Sequence, residues 1–189
     1  MKNIAIFASG SGSNAENIVR YFAGHPEIKI SMMISDRKHA FVFERMSSLH
    51  IPSYYMNKTD FEHGTVLQLL HENKIDYIIL AGFLKLLPSE IIQDFPLRIL
   101  NIHPALLPSY GGKGMYGMHV HEAVVRNGEK KTGITIHYVN ENFDEGEIIH
   151  QVEMDIESGA SAQKIAEGIH ELEMNYFPQV IEKVILKGR

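Results

Sequence analysis

The stretch Ile4-Ala5-Ile6-Phe7-Ala8-Ser9-Gly10-Ser11-Gly12-Ser13-Asn14 decides how the rest of the chain is read. Five apolar residues without polar alternation suit a strand buried on both faces, as in a parallel sheet covered by helices. The serine and glycine run that follows is turn chemistry where a helix opens, with Ser13 placed as its N-cap. Backbone N–H groups and the helix dipole favour an anion there, such as a phosphate, although a plain strand-to-helix turn is spelled the same way.

Gly10, Gly12 and Ala15 also satisfy G-x-G-x-x-A, and Asp36 closes the second strand where a ribose-binding acid would stand. On these residues alone a nicotinamide dinucleotide-dependent oxidoreductase, or a nucleotide-binding module, stays open. Such an enzyme needs a further region to present its substrate, and 189 residues leave little chain for one.

Outward from this start the same rhythm continues. Short apolar runs at 28–34, 52–56, 77–81 and 99–102 read as strands, and amphipathic segments at 15–23, 41–49, 63–72 and 89–95 read as crossover helices. Pro88 and Ser89 are start signals for the last of these. Past Pro108 a glycine-rich stretch, Gly111 to Gly117, leads into a helix over 118–126 and two strand-like runs at 132–139 and 147–154. Apolar residues at helical spacing, including Ile165, Ile169, Phe177 and Val184, predict a helix over 161–186 that Pro178 kinks or splits. With no repeat, low-complexity tract or long linker, residues 1–189 read as one α/β domain, doubly wound around a mostly parallel, Rossmann-like sheet.

Composition narrows the function. A net charge of −5 provides no basic field to hold a nucleic acid backbone. The absence of cysteine excludes disulfides, thiolate nucleophiles and thiolate-bound metals. The short apolar run at the N-terminus is neither a signal nor a membrane span, so a cytoplasmic protein with no membrane partner is expected.

The chemistry concentrates in Leu100-Asn101-Ile102-His103-Pro104, at the end of the fifth strand, the edge where open parallel sheets bind ligands. Strand periodicity puts Asn101 and His103 on one face and Leu100 and Ile102 on the other. An amide and an imidazole converging on one atom suit acyl-type chemistry, since both can donate to a developing oxyanion. A hydrogen-bonded histidine without a chemical part fits the same pattern. Phe143-Asp144-Glu145-Gly146 can turn Asp144 toward that pocket, or simply mark a loop between strands. His119 and His121, two apart on a helix, point to different faces, and Glu122 is read as sharing a face with neither. A metal site built from them with His103 and His137 is therefore set aside for rim or surface histidines.

Together Gly10 to Asn14, Ala81-Gly82-Phe83-Leu84, the run Leu100 to Pro108, and Asp144 with Gly146 resemble the glycinamide ribonucleotide formyltransferase family, over Met1 to about Pro178. The Asn-x-His-Pro segment with an Asp downstream is characteristic of folate-dependent formyl transfer. The resemblance implies transfer of a formyl group from 10-formyltetrahydrofolate, a co-substrate, to the amine of glycinamide ribonucleotide in purine biosynthesis. It implies a nucleotide-binding N-terminal half and a C-terminal half carrying the folate pocket and catalytic loop. It assigns Asn101, His103 and Asp144 to catalysis, with Asn101 also facing the folate. Gly12, Ser13 and Asn14 would hold the phosphate, Glu173 the ribose hydroxyls, and Leu84, Lys85, Leu86 and Leu87 would line the folate pocket. His119 would approach the formyl site. No metal is implied, and the expected assembly is a monomer or homodimer. The family's folate-contacting arginine has no clear counterpart near Phe61-Glu62-His63, and the stretch Gly112 to Gly117 is longer than in many relatives. Methionyl-tRNA formyltransferases and formyltetrahydrofolate hydrolases share the Asn-x-His segment, but each carries an extra domain for which 189 residues leave no room.

Overall fold

The structure is a computed structural model that describes residues 1–187. Its centre is a sheet of seven strands in the order β3-β2-β1-β4-β5-β6-β7. β1 (Lys2–Phe7), β2 (Ile28–Ser35), β3 (Ser53–Tyr55), β4 (Tyr77–Leu80) and β5 (Ile99–His103) run parallel. β6 (Lys131–Tyr138) and β7 (Ile148–Asp155) close the far edge antiparallel. The chain winds outward from β1 to β3, then returns to lay β4 on the other side of β1. This reversal opens a crevice beyond the carboxyl ends of β1 and β4, where a ligand finds two loops diverging.

Helices cover both faces, which is why the parallel strands are apolar without alternation. On one side lie α1 (Ser13–Tyr21), α2 (Val42–Ser48), α6 (Met118–Arg126) and α7 (Ala162–Lys187). On the other lie α3 (Lys58–Glu62), α4 (Thr65–Glu72) and α5 (Ser89–Asp94). Ile4, Ile6, Leu100 and Ile102 pack with Ile18, Val124, Ile169 and Phe177 on the first side. Ala5, Phe7, Ile78 and Ile99 pack with Phe61, Leu70 and Ile91 on the second. Leu100 and Ile102 thus face the core of α7 as expected, leaving Asn101 and His103 to the opposite face.

All seven expected strands form, with ends within about two residues of those read from periodicity. Three details differ. Helix α1 starts at Ser13, so the N-cap is Gly12, not Ser13, and among the described residues no side chain caps the helix. Gly12 sits at φ +78°, and a Cβ there would lie 2.6 Å from Val42 Cβ, so only glycine fits this crossing of loop and helix. Helix α3 was not expected. Asn57 and Asp60 build it through a capping box, each side chain bonding the other's backbone N–H.

The third difference is that α7 runs without a break across Pro178. The missing N–H of Pro178 would leave the Met174 carbonyl without its helical donor, and Asn17 of α1 supplies one, Nδ2 to oxygen at 2.7 Å. Among the described residues no helix is long and apolar enough to cross a membrane.

Candidate active site

The crevice deepens into a cavity of about 740 Å³, lined by the glycine loop, the segment after β4, the end of β5, the 112–118 stretch, residues 142–144 and one face of α7. Asn101, His103, Asp144, Glu173, Gly12 to Asn14 and Leu84 to Leu87 all line it, whereas His119 and Asp36 do not.

At one end, the loop over Gly10 to Asn14 opens α1. It is braced from α2: the Gly10 carbonyl accepts the Val42 N–H at 3.2 Å, and Arg45 Nε donates to the Ser11 carbonyl at 2.9 Å. Asn14 Nδ2 donates to Glu173 Oε2 at 2.9 Å, joining residues 159 apart. Asn14 Oδ1 is buried and has no partner among the described residues. His170 Nδ1 lies 3.7 Å from the same Glu173 carboxylate, whose proximity holds the imidazole above its ordinary pKa. This end therefore combines helix-terminal N–H groups and an imidazole biased toward its charged form, both suited to an anion, with a carboxylate that can accept hydroxyl hydrogens.

At the other end stands the polar cluster. His103, 3% exposed, is held by Nε2 against the Tyr110 carbonyl at 2.8 Å. That carbonyl belongs to a loop pinned to β6 and β7, where Thr135 Oγ1 donates to the Ala105 carbonyl and Gln151 Nε2 to the Leu107 carbonyl. The other ring nitrogen, Nδ1, lies 3.4 Å from Asp144 Oδ2. Both nitrogens thus face atoms that only accept, an arrangement an imidazolium satisfies completely.

Asp144 reaches His103 from the β6–β7 connection in a left-handed turn, φ +57°, which Asp tolerates better than most residues. Two residues on, Gly146 is obligatory, since a Cβ would collide with the Tyr138 carbonyl. Burial opposes ionisation of the Asp144 carboxyl. The His103 imidazole beside it at 3.4 Å, with the Gly112 N–H donating at 3.0 Å, outweighs burial and holds it well below the usual carboxylate range.

Asn101 lies between Asp144 and His137. Because His137 Nδ1 faces the Tyr138 carbonyl at 2.8 Å, that nitrogen carries the proton and Nε2 is left to accept. It accepts from Asn101 Nδ2 at 3.0 Å, which fixes the amide's orientation. The second amide hydrogen has only a long contact, 3.5 Å to Asp144 Oδ1. The 3.4 and 3.5 Å contacts converge on one carboxylate, and a carbonyl oxygen entering between them would take over both donors.

His137 and His121 were not singled out as site residues. Cross-strand register opposite Asn101 places His137, and that pairing is not written in local sequence. His121 lines the cavity from the first turn of α6, with a buried Nδ1 that has no partner among the described residues. Burial pushes its imidazole down, while Glu173 pulls it up and His103 down. Its signal was present: it falls on the stripe of Val120 and Val124, the buried face of α6. His119, expected near the formyl site, is instead exposed and lies 4.0 Å from Glu122, three residues on and hence on its own face.

Asp36 is not available to a ribose. Its side chain is 4% exposed, bonded to Ser9 Oγ at 2.5 Å and to Lys85 Nζ at 3.2 Å. Phe61, beside which the folate-contacting arginine has no counterpart, packs against Phe7 and Phe83.

The chain matches the model of the formyl transferase family over residues 2–181. A phosphoribosylglycinamide formyltransferase of Bacillus subtilis (strain 168) is 38% identical, over 98% of this chain and 95% of that protein. A chloroplastic phosphoribosylglycinamide formyltransferase of Arabidopsis thaliana is 35% identical over 95% of this chain, which spans 64% of its length. The crystal structure of phosphoribosylglycinamide formyltransferase from Bacillus halodurans superposes with a TM-score of 0.89 at 34% identity, covering 100% of this chain and 97% of that one.

Proposed function

This chain belongs to the formyl transferase family, and on that premise we propose that it transfers the formyl group of 10-formyltetrahydrofolate to the amine of glycinamide ribonucleotide. The observation that carries the reading is one cavity with an anion-binding helix terminus and Glu173 at one end and the Asn101, His103 and Asp144 cluster at the other. A phosphoribosyl compound with a terminal amine spans such a gap, its phosphate at Gly12 to Asn14, its ribose at Glu173 and its amine beside Asp144.

As the amine attacks the formyl carbon, negative charge grows on the carbonyl oxygen and the nitrogen becomes acidic. Asn101, its amide oriented by His137, and protonated His103 donate to that oxygen. Asp144, ionised well below neutral pH, keeps a negative charge against His103 and accepts or relays the amine proton through water; collapse of the tetrahedral adduct then breaks the bond from the formyl carbon to the folate nitrogen, which takes up that proton as tetrahydrofolate leaves. The segment Leu84 to Leu87 lines the folate side, and His121, whose Nδ1 has no partner among the described residues, offers a further hydrogen-bonding group in the same cavity. The dinucleotide reading is not favoured, because the Asp36 carboxylate is already bonded to Ser9 and Lys85.

The test is direct. The purified protein mixed with 10-formyltetrahydrofolate and glycinamide ribonucleotide should produce the ultraviolet change of folate release, and His103→Ala should slow it by roughly a hundredfold or more. Strong thermal stabilisation by a nicotinamide dinucleotide, with no folate reaction, would reverse the ranking of the two readings.

A further inference from the structure

Asp36 has no part in the chemistry described above, yet its buried carboxylate sits between the two loops that form the crevice. Ser9, the residue before the glycine loop, is 1% exposed and donates its hydroxyl to Asp36 Oδ1 at 2.5 Å. The same hydroxyl oxygen accepts the Leu84 N–H at 3.1 Å, and the Ser9 N–H donates to the Gly82 carbonyl at 3.0 Å. Lys85 Nζ reaches Asp36 Oδ2 at 3.2 Å. One carboxylate therefore holds two consecutive residues of the 84–87 segment, Leu84 by its backbone through Ser9 and Lys85 by its side chain.

A lysine–carboxylate pair in open solvent contributes little. Here the carboxylate is withdrawn from water, so removing either donor leaves a buried charge short of hydrogen bonds. We propose that Asp36 is a positioning residue for the folate-binding segment: it sets the backbone of Leu84 and Lys85 before the co-substrate arrives. This inference rests on the formyl-folate reading of the cavity. The Lys85 ammonium, on a half-exposed side chain beside the pocket, is thereby tied to Asp36. The glycine loop has separate braces from α2, through Val42 and Arg45, so its hold on a phosphate does not depend on Asp36.

That separation sets the experiment. Asp36→Asn keeps an oxygen for Ser9 but turns an amide N–H toward the Lys85 ammonium, and Asp36→Ala removes both contacts. For Asp36→Ala the KM for 10-formyltetrahydrofolate should rise roughly tenfold, with kcat and the nucleotide KM within about twofold of wild type. The Leu84 amide should exchange with solvent at least roughly tenfold faster. Asp36→Asn and Lys85→Gln should shift the folate KM in the same direction by smaller factors, and they carry the test if Asp36→Ala does not fold. A lower melting temperature with both KM values unchanged, or equal rises in the two, would overturn the proposal by reducing Asp36 to a structural role. A wild-type protein inactive on these substrates would instead overturn the functional reading, while Leu84 exchange would still report whether the clamp exists.

Discussion

Replacing Asp144 with asparagine tests the reaction cluster with little disturbance of the backbone. Asparagine tolerates the left-handed conformation that Asp144 adopts at φ +57°, and its oxygen can still accept the Gly112 N–H. The substitution therefore removes a charge more than it removes a shape. At the 3.4 Å separation of His103 Nδ1 and Asp144 Oδ2, a full charge pair in an effective dielectric of about 20 is attracted by about 5 kcal/mol. The cost of desolvating both groups makes this an upper bound. Positioned acid–base groups contribute roughly 10²–10⁴ in rate, or about 2.7–5.5 kcal/mol of barrier. The two ranges overlap, and kcat should fall by at least about a hundredfold. Initial rates of folate release at saturating substrates measure it.

The same variant has a stability signature. The Asp144 carboxyl ionises at lower pH in the folded protein than in the unfolded chain. Its stabilising contribution is thus complete above the ordinary aspartate range near about 3.9 and is lost as pH falls through that range toward the folded value. The melting-temperature advantage of wild type over Asp144→Asn should shrink as the pH is lowered from neutral to about 3. Turnover within about threefold of wild type, or a melting difference independent of pH, would refute the reasoning.

Two further predictions follow from neighbouring contacts. His137→Leu frees the Asn101 amide and should cost much of the roughly 2.7–4 kcal/mol that an oxyanion-hole amide supplies, whereas His137→Gln, which keeps an acceptor, should recover part of it. Identical rates for the two variants would separate Asn101 from His137. Gly12→Ala places a Cβ against Val42 in a backbone region disfavoured for alanine, so it should raise the nucleotide KM by roughly tenfold or more and destabilise the protein by about 1–3 kcal/mol. Steady-state kinetics and chemical denaturation check the pair, and an unchanged nucleotide KM would remove the glycine loop from substrate binding.

The sequence by itself determined whatever depends on residues close together in the chain. Apolar runs such as Ile4 to Ala8 and Tyr77 to Leu80, broken by turn residues, specified strands covered on both faces and so a doubly wound sheet. Period-two alternation put Asn101 and His103 on one face, and the Gly10 to Asn14 run marked where a helix terminus would meet an anion. Tertiary structure decided what depends on loop closure and register, which local periodicity does not encode. Asp144 lies 43 residues beyond Asn101 and meets it only because the β6–β7 connection folds back over β5. Asn14 finds Glu173 across 159 residues, and His137 orients Asn101 through cross-strand pairing. Pro178, a helix breaker by local rules, stays within α7 because Asn17 of another helix takes the carbonyl it would orphan. Asp36, read locally as a ribose ligand, became a structural anion once Ser9 and Lys85 closed on it. In each case the partner comes from a distant segment, and its hydrogen bond, rather than any local preference, sets what the residue does.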